Sequence, residues 1–149
     1  MTVTRESVLT ALFTLLQTAS GFNSYSRRFK MWNQVKGPDM PALLLCEKPE
    51  QAARGKELRP AIRTLNAEIW IYINTGKDQN TIPATTLNNL IDVIDPVTGG
   101  VLAPGPMAKQ TLGGLITDCY IDGEITKVPG DLDGEGMALI PIKIIFMQP

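Results

Sequence analysis

The amino-acid sequence predicts an α+β fold: a single domain, residues 1–149, with an antiparallel or mixed sheet of about four to five strands and two helices packed on one face. Three observations predict it. Two stretches place apolar residues at helical spacing. Several others alternate apolar and polar residues with period two. The strands also come in runs instead of alternating with helices, in the order α-β-β-β-α-β-β, which segregates the helices to one face of the sheet.

The first helix is predicted over residues 4–20. Thr4 suits the N-cap and Glu6 the positive first turn, while Val8, Leu12, Leu15 and Ala19 repeat at helical spacing. Leu9, Phe13 and Leu16 widen that stripe into a face for packing on a sheet, and Gly21 suits the left-handed stop. From Tyr25 to Val35 the period falls to two, predicting a strand, and Gly37-Pro38-Asp39 turns the chain. Pro41 to Glu47 reads as a short buried strand. Residues 48–59 are polar and mixed in sign, and are expected to project as a loop or arm.

Residues 61–74 give the clearest strand signal. Leu65, Ala67, Ile69, Ile71 and Ile73 form one aliphatic face, and Thr64, Asn66, Glu68, Trp70 and Tyr72 a mixed one that suits half-burial or an interface. The second helix is predicted from Pro83 to Asp95, with Leu87, Leu90, Ile91 and Ile94 as its stripe and Pro96 as its stop. Residues 96–111 form a long irregular connection. Two strands close the chain, one around Leu115 to Asp122 and one from Met137 to Gln148, with a turn-rich loop between them.

Composition narrows the function. The chain has 149 residues and a net charge of −1 with a pI near 5.4, which supplies no bulk attraction to nucleic acid or anionic membrane. No apolar run reaches the roughly 18 residues that span a bilayer, so a soluble protein made in the cytoplasm is expected. There is no histidine, which removes the commonest general base and the commonest metal ligand. Cys46 and Cys119 lie in apolar strand-like runs and read as small buried hydrophobes, reduced and inert.

The acidic residues Asp92, Asp95, Asp118 and Asp122 invite a carboxylate site, yet helix-end solvation accounts for the first two. The stretch from Gly130 to Gly136 resembles the start of a calcium loop. However, position twelve counted from Asp131 is Ile142, where a bidentate Glu would be needed. Arg27, Arg28 and Lys30 with nearby Tyr25, Phe29 and Trp32 read better as a solvated or protein-binding edge than as a single-strand platform. The residues thus point away from an enzyme, with no catalytic, cofactor or metal site expected, and toward a subunit that works by assembly. The residues expected at its interfaces are Lys48, Arg54 and Lys56 on the arm and Trp70 and Tyr72 on the mixed strand face.

Three segments carry a resemblance. They are the helix Thr86-Leu87-Asn88-Asn89-Leu90-Ile91-Asp92-Val93-Ile94-Asp95, the stretch from Gln110 to Gly123, and the closing strand from Met137 to Phe146. With the amphipathic opening helix and the Arg-rich segment after it, most of the chain resembles the tail terminator (tail completion) proteins of long-tailed bacteriophages, of the lambda minor tail protein U type. That resemblance implies a virion protein of the tail and neck, assembled in the bacterial cytoplasm. It would form a homo-oligomeric ring, usually a hexamer, that caps the tail tube and ends its polymerisation. Its partners would be the tail tube protein and a head-tail connector or stopper protein, with DNA passing through the lumen without sequence-specific binding. The alternatives from other classes are another neck component, such as a stopper or head-completion protein, and a ligand-binding regulatory domain.

Overall fold

A computed structural model describes residues 3–53, 61–103 and 110–148. Helix α1 (Arg5–Leu16) opens on Thr4, whose hydroxyl accepts from the Ser7 N–H while the Ser7 hydroxyl accepts from the Thr4 N–H, a reciprocal cap. The helix ends sooner than the apolar stripe predicts. Thr18 and Ala19 donate to carbonyls only three residues back, and Gly21 takes the left-handed conformation at φ 93°. Helix α2 (Pro83–Ile94) starts on Pro83 and stops at Asp95, as its sequence predicts.

Among the described residues the sheet is mixed and has six strands: β1 (Ser24–Ser26), β2 (Ala42–Ala53), β3 (Ala61–Asn74), β4 (Asp118–Ile121), β5 (Thr126–Val128) and β6 (Glu135–Gln148). Its order is β1-β2-β3-β6-β4, with β5 also on β6; β1 runs parallel to β2 and every other pair is antiparallel. The centre is the β3–β6 ladder, in register from Ala61↔Gln148 to Asn74↔Glu135.

Register places Leu65, Ala67, Ile69, Ile71 and Ile73 beside Ala138, Ile140, Ile142, Ile144 and Phe146, flanked by Leu43, Leu45 and Cys119. Val8, Leu9, Leu12 and Leu16 of α1 and Leu87, Leu90, Ile91 and Ile94 of α2 close over this inner face in one apolar cluster. Both helices therefore lie on the same face, as the α+β pattern requires.

Three further elements differ from the sequence reading. The strand predicted over Tyr25 to Val35 stops at Ser26, where the Ser26 hydroxyl exchanges hydrogen bonds with the backbone of Arg28 at 3.0 Å. Residues 27–40 then cross the outer face of the sheet through two 3₁₀ turns, Trp32–Gln34 and Gly37–Asp39. Residues 48–53, expected in a projecting arm, continue β2 and pair with β3 from Gln51↔Thr64 to Ala53↔Ile62 after an irregularity at Lys48 to Gln51. An edge strand that runs beyond the core is wetted on both faces, so its polar composition mimics a loop.

The third difference is β5, and Pro141 explains it. The Pro141 carbonyl accepts from Asp122 N–H, so the ring nitrogen faces the same neighbour, and a proline has no N–H to give. The edge strand breaks there into β4 and β5, with residues 122–125 outside the strand pairing between them.

Candidate interaction surface

The outer face of the sheet carries the candidate site. On β6 the outward positions are Met137, Leu139, Pro141, Lys143, Ile145 and Met147, almost all apolar. A strand apolar on both faces is a strand built to be covered on both. Residues 27–40 cover only part of it: Met40, Ala42, Leu44 and Tyr72 form a second small core, with Val35, Cys46, Trp70 and Met137 packed against it.

The predicted interface residues fare differently. Tyr72 is 2% exposed, so the expectation that it faces a partner is overturned. Its hydroxyl donates to the Lys30 carbonyl at 2.6 Å and pins the crossing segment to the sheet, and burial pushes the phenol above its ordinary range. Trp70 is half-buried, with Phe29 edge-on to it at 5.0 Å and Tyr72 tilted at 6.3 Å. Lys48 is exposed at the start of the irregularity, where its ammonium pairs with Glu68 at 2.7 Å. Arg54 and Lys56 lie outside the described residues.

Six large apolar side chains stand 44–52% exposed: Phe29, Met31 and Trp32 on the crossing segment, of which sequence reasoning placed Phe29 and Trp32 on a solvated or protein-binding edge, and Ile62, Val128 and Met147 on the strands, which it did not assign. For Met147 the signal was present in the apolar odd-numbered residues of β6. A cavity of about 260 Å³ lies among Trp32, Met40, Tyr72, Val128 and Met137, with Asp133 and Glu135 also in its wall.

The charged groups are structural where they are paired. Arg5 Nε donates to both Glu50 oxygens, at 2.7 and 2.8 Å, tying α1 to the far end of β2. The Arg27 guanidinium pairs with Glu6 and lies 3.7 Å from Glu47. These hydrogen bonds hold the Glu6 and Glu50 carboxyls below the usual carboxylate range. Arg28, Lys30 and Lys36 have no ion-pair partner among the described residues.

The four aspartates do not converge on a common ligand. Asp95 accepts from the Val97 N–H, Asp118 from the Cys119 N–H, and Asp122 pairs with Lys143 at 2.8 Å. Among the described residues no group of three or more acidic or cysteine side chains is placed to hold a metal ion. The calcium-like loop closes on itself: Gly134 donates to the Gly130 carbonyl, Asp133 accepts from the Glu135 N–H, and the Gly134 carbonyl accepts from Thr75.

Cys46 packs on the outer face and Cys119 in the inner core, so the sheet itself separates the two thiols. Burial pushes the Cys119 thiol up to about 12. No described helix is long and apolar enough to cross a membrane. No protein-family model matches the chain, and no curated protein matches it.

Proposed function

We propose that this chain is a structural subunit of a phage virion that closes into a ring, a hexamer, on the end of the tail tube. There it ends tube polymerisation and forms the joint to the head and neck. The supporting observation is the outer face: an apolar β6 surface only partly covered by residues 27–40, with six large apolar side chains near half exposure. A monomer gains nothing from wetting that surface, whereas burial against a neighbour returns roughly 25 cal/mol per Å². The resemblance to tail terminators supplies the kind of neighbour: further copies of the chain, the tail tube protein, and a connector or stopper protein.

The test is assembly on tubes. Purified protein mixed with purified tail tubes should bind one end and stop further addition of tube subunits, seen by negative-stain microscopy. In the phage that encodes it, loss of the protein should leave filled heads unjoined and tails of uncontrolled length. Tails of normal length with leaking heads would assign it to the stopper position instead. A strictly monomeric protein that ignores tube ends would refute the reading.

A further inference from the structure

The cavity on the outer face has two unlike walls. Tyr72, Met137 and Val128 are register partners on three neighbouring strands, β3, β6 and β5, and Trp32 and Met40 complete this apolar side. Trp32 and Val128 are each 49% exposed where Tyr72 is buried, so the cavity is deep at Tyr72 and open at the other two. The remaining wall is acidic. Asp133 and Glu135 stand in it, and neither pairs with a cation among the described residues. Among those residues no lysine or arginine lines the cavity. Lys127, next to Val128, donates to Asn88 Oδ1 at 3.2 Å, and Lys77 and Lys30 line other recesses, with Asp131 and with Asp39.

Packed backbone fixes the two carboxylates. The Gly134 N–H donates to the Gly130 carbonyl at 2.7 Å, and the Gly134 carbonyl accepts from Thr75 at 2.8 Å. A Cβ on Gly134 would strike the backbone of Gly76, and one on Gly136 the carbonyl of Pro129, so backbone meets backbone on both sides of Glu135. Asp133 commits Oδ1 to the Glu135 N–H at 3.0 Å. Its second oxygen and both oxygens of Glu135 have no partner among the described residues. The acidic wall is therefore set in place before anything binds, which lowers the ordering cost of binding.

We infer that this cavity takes a basic side chain, arginine or lysine, from a protein neighbour docked on the outer face. Its volume of about 260 Å³ lies below the roughly 300–1,000 Å³ of small-molecule sites and suits a single side chain. A long basic side chain is apolar along its stem and charged at its tip, which is the division the two walls present. Trp32 offers the ring face that a guanidinium or ammonium prefers, and Asp133 and Glu135 supply the counter-charge. The rival side chains fit worse. A carboxylate would meet two of its own sign, and a purely apolar group would cover Asp133 and Glu135 without pairing them. This inference rests on the reading above, in which the outer face receives a neighbour, and names what that neighbour must bring.

Three small probes test the cavity in the full-length chain: the N-acetyl amides of arginine, citrulline and norleucine, followed by NMR at the Trp32 indole N–H and the Met137 methyl. Citrulline keeps the shape of arginine without its charge, and norleucine keeps only an apolar stem. The arginine probe should bind at least about threefold more tightly than either, in the millimolar range, and shift both signals. Asp133→Asn with Glu135→Gln should erase that advantage, as should raising salt from about 0.05 to 0.5 M. The asparagine keeps an oxygen for the Glu135 N–H, and unchanged thermal unfolding identifies a variant that has kept the fold. Trp32→Ala should weaken the arginine probe independently of the acidic wall. The double variant should also bind its neighbours, tube ends or further copies, at least about threefold more weakly at low salt.

An arginine probe that fails to bind, or that binds no better than citrulline, would overturn the assignment while leaving the proposed function standing. A double variant that holds tube ends and other copies as firmly as the unmodified chain would overturn the neighbour as the source of the side chain. A chain that binds the arginine probe yet stays monomeric and ignores tube ends would refute the proposed function, and the neighbour named here with it.

Discussion

Ile71 sits at the centre of the inner face, 0% exposed, between Leu43 on β2 and Ala138 on β6 in the ladder. Replacing it with Ala removes three carbons. At about 0.8 kcal/mol for each, the transfer loss alone is about 2.4 kcal/mol. The cavity term adds to this, because both ladder neighbours are fixed by backbone pairing and cannot move in to fill the space. Ile71→Ala should therefore cost about 3–4 kcal/mol, inside the range of about 2–5 for such truncations. For a chain of this length that is a fall in Tm of roughly 6–16 °C. Thr64→Ala, at a partly exposed outward position of the same strand, is the control and should stay within about 0.5 kcal/mol. Chemical denaturation with a constant m-value would give both numbers. A cost under about half a kcal/mol for Ile71→Ala, or equal costs for the two, would mean that this face is not the one buried.

Two further outcomes follow from the same packing. Cys119 should resist a thiol reagent at neutral pH until the protein unfolds, with Cys46 reacting first, since burial holds both thiols in the protonated form and Cys119 is the more deeply buried; rapid equal labelling in the folded state would contradict the placement. The pairs Arg27–Glu6 and Arg5–Glu50 lower the folded-state carboxyl pKa values, so their contribution is complete above the ordinary Glu value of about 4.3 and fades as the pH falls through the lowered ones. Amide protection in α1 should then drop below about pH 4.3, less so in an Arg5→Gln, Arg27→Gln variant, and identical acid profiles in the two proteins would count against those pairs.

How much was legible depended on how each segment is solvated. Residues 61–74 could be read to the residue because β3 is central, so its aliphatic face had to alternate with something else. The second helix was equally plain, with Pro83 at its start and Asp95-Pro96 at its end. The crossing segment 27–40 misled because its alternation arises from tertiary contacts: Phe29 reaches Trp70 and the Lys30 carbonyl meets the Tyr72 hydroxyl, and neither partner is near in sequence. Tyr72 was misassigned for the same reason, since a mixed strand face looks half-exposed until the chain that covers it is known. Residues 48–53 were invisible as strand because an edge beyond the core needs no apolar pattern. The break between β4 and β5 depends on a proline on another strand, a signal that exists only once the register is known.

Pro141 links these observations to the proposed assembly. A strand as apolar as β6 belongs inside a sheet, and β3 covers one of its edges along the full ladder. Among the described residues its other edge pairs with four residues of β4 and three of β5 in two separate pieces, because the proline denies the ladder a donor midway. A short, interrupted edge bearing carboxylates is poor at recruiting another strand, which guards a sheet against uncontrolled edge-to-edge growth. An edge that refuses backbone pairing suits a subunit that, on the proposed reading, must join a fixed number of neighbours and then stop. On the proposed reading, the interrupted edge keeps β6 from recruiting further strands, and the apolar outer face is the surface left for a neighbour.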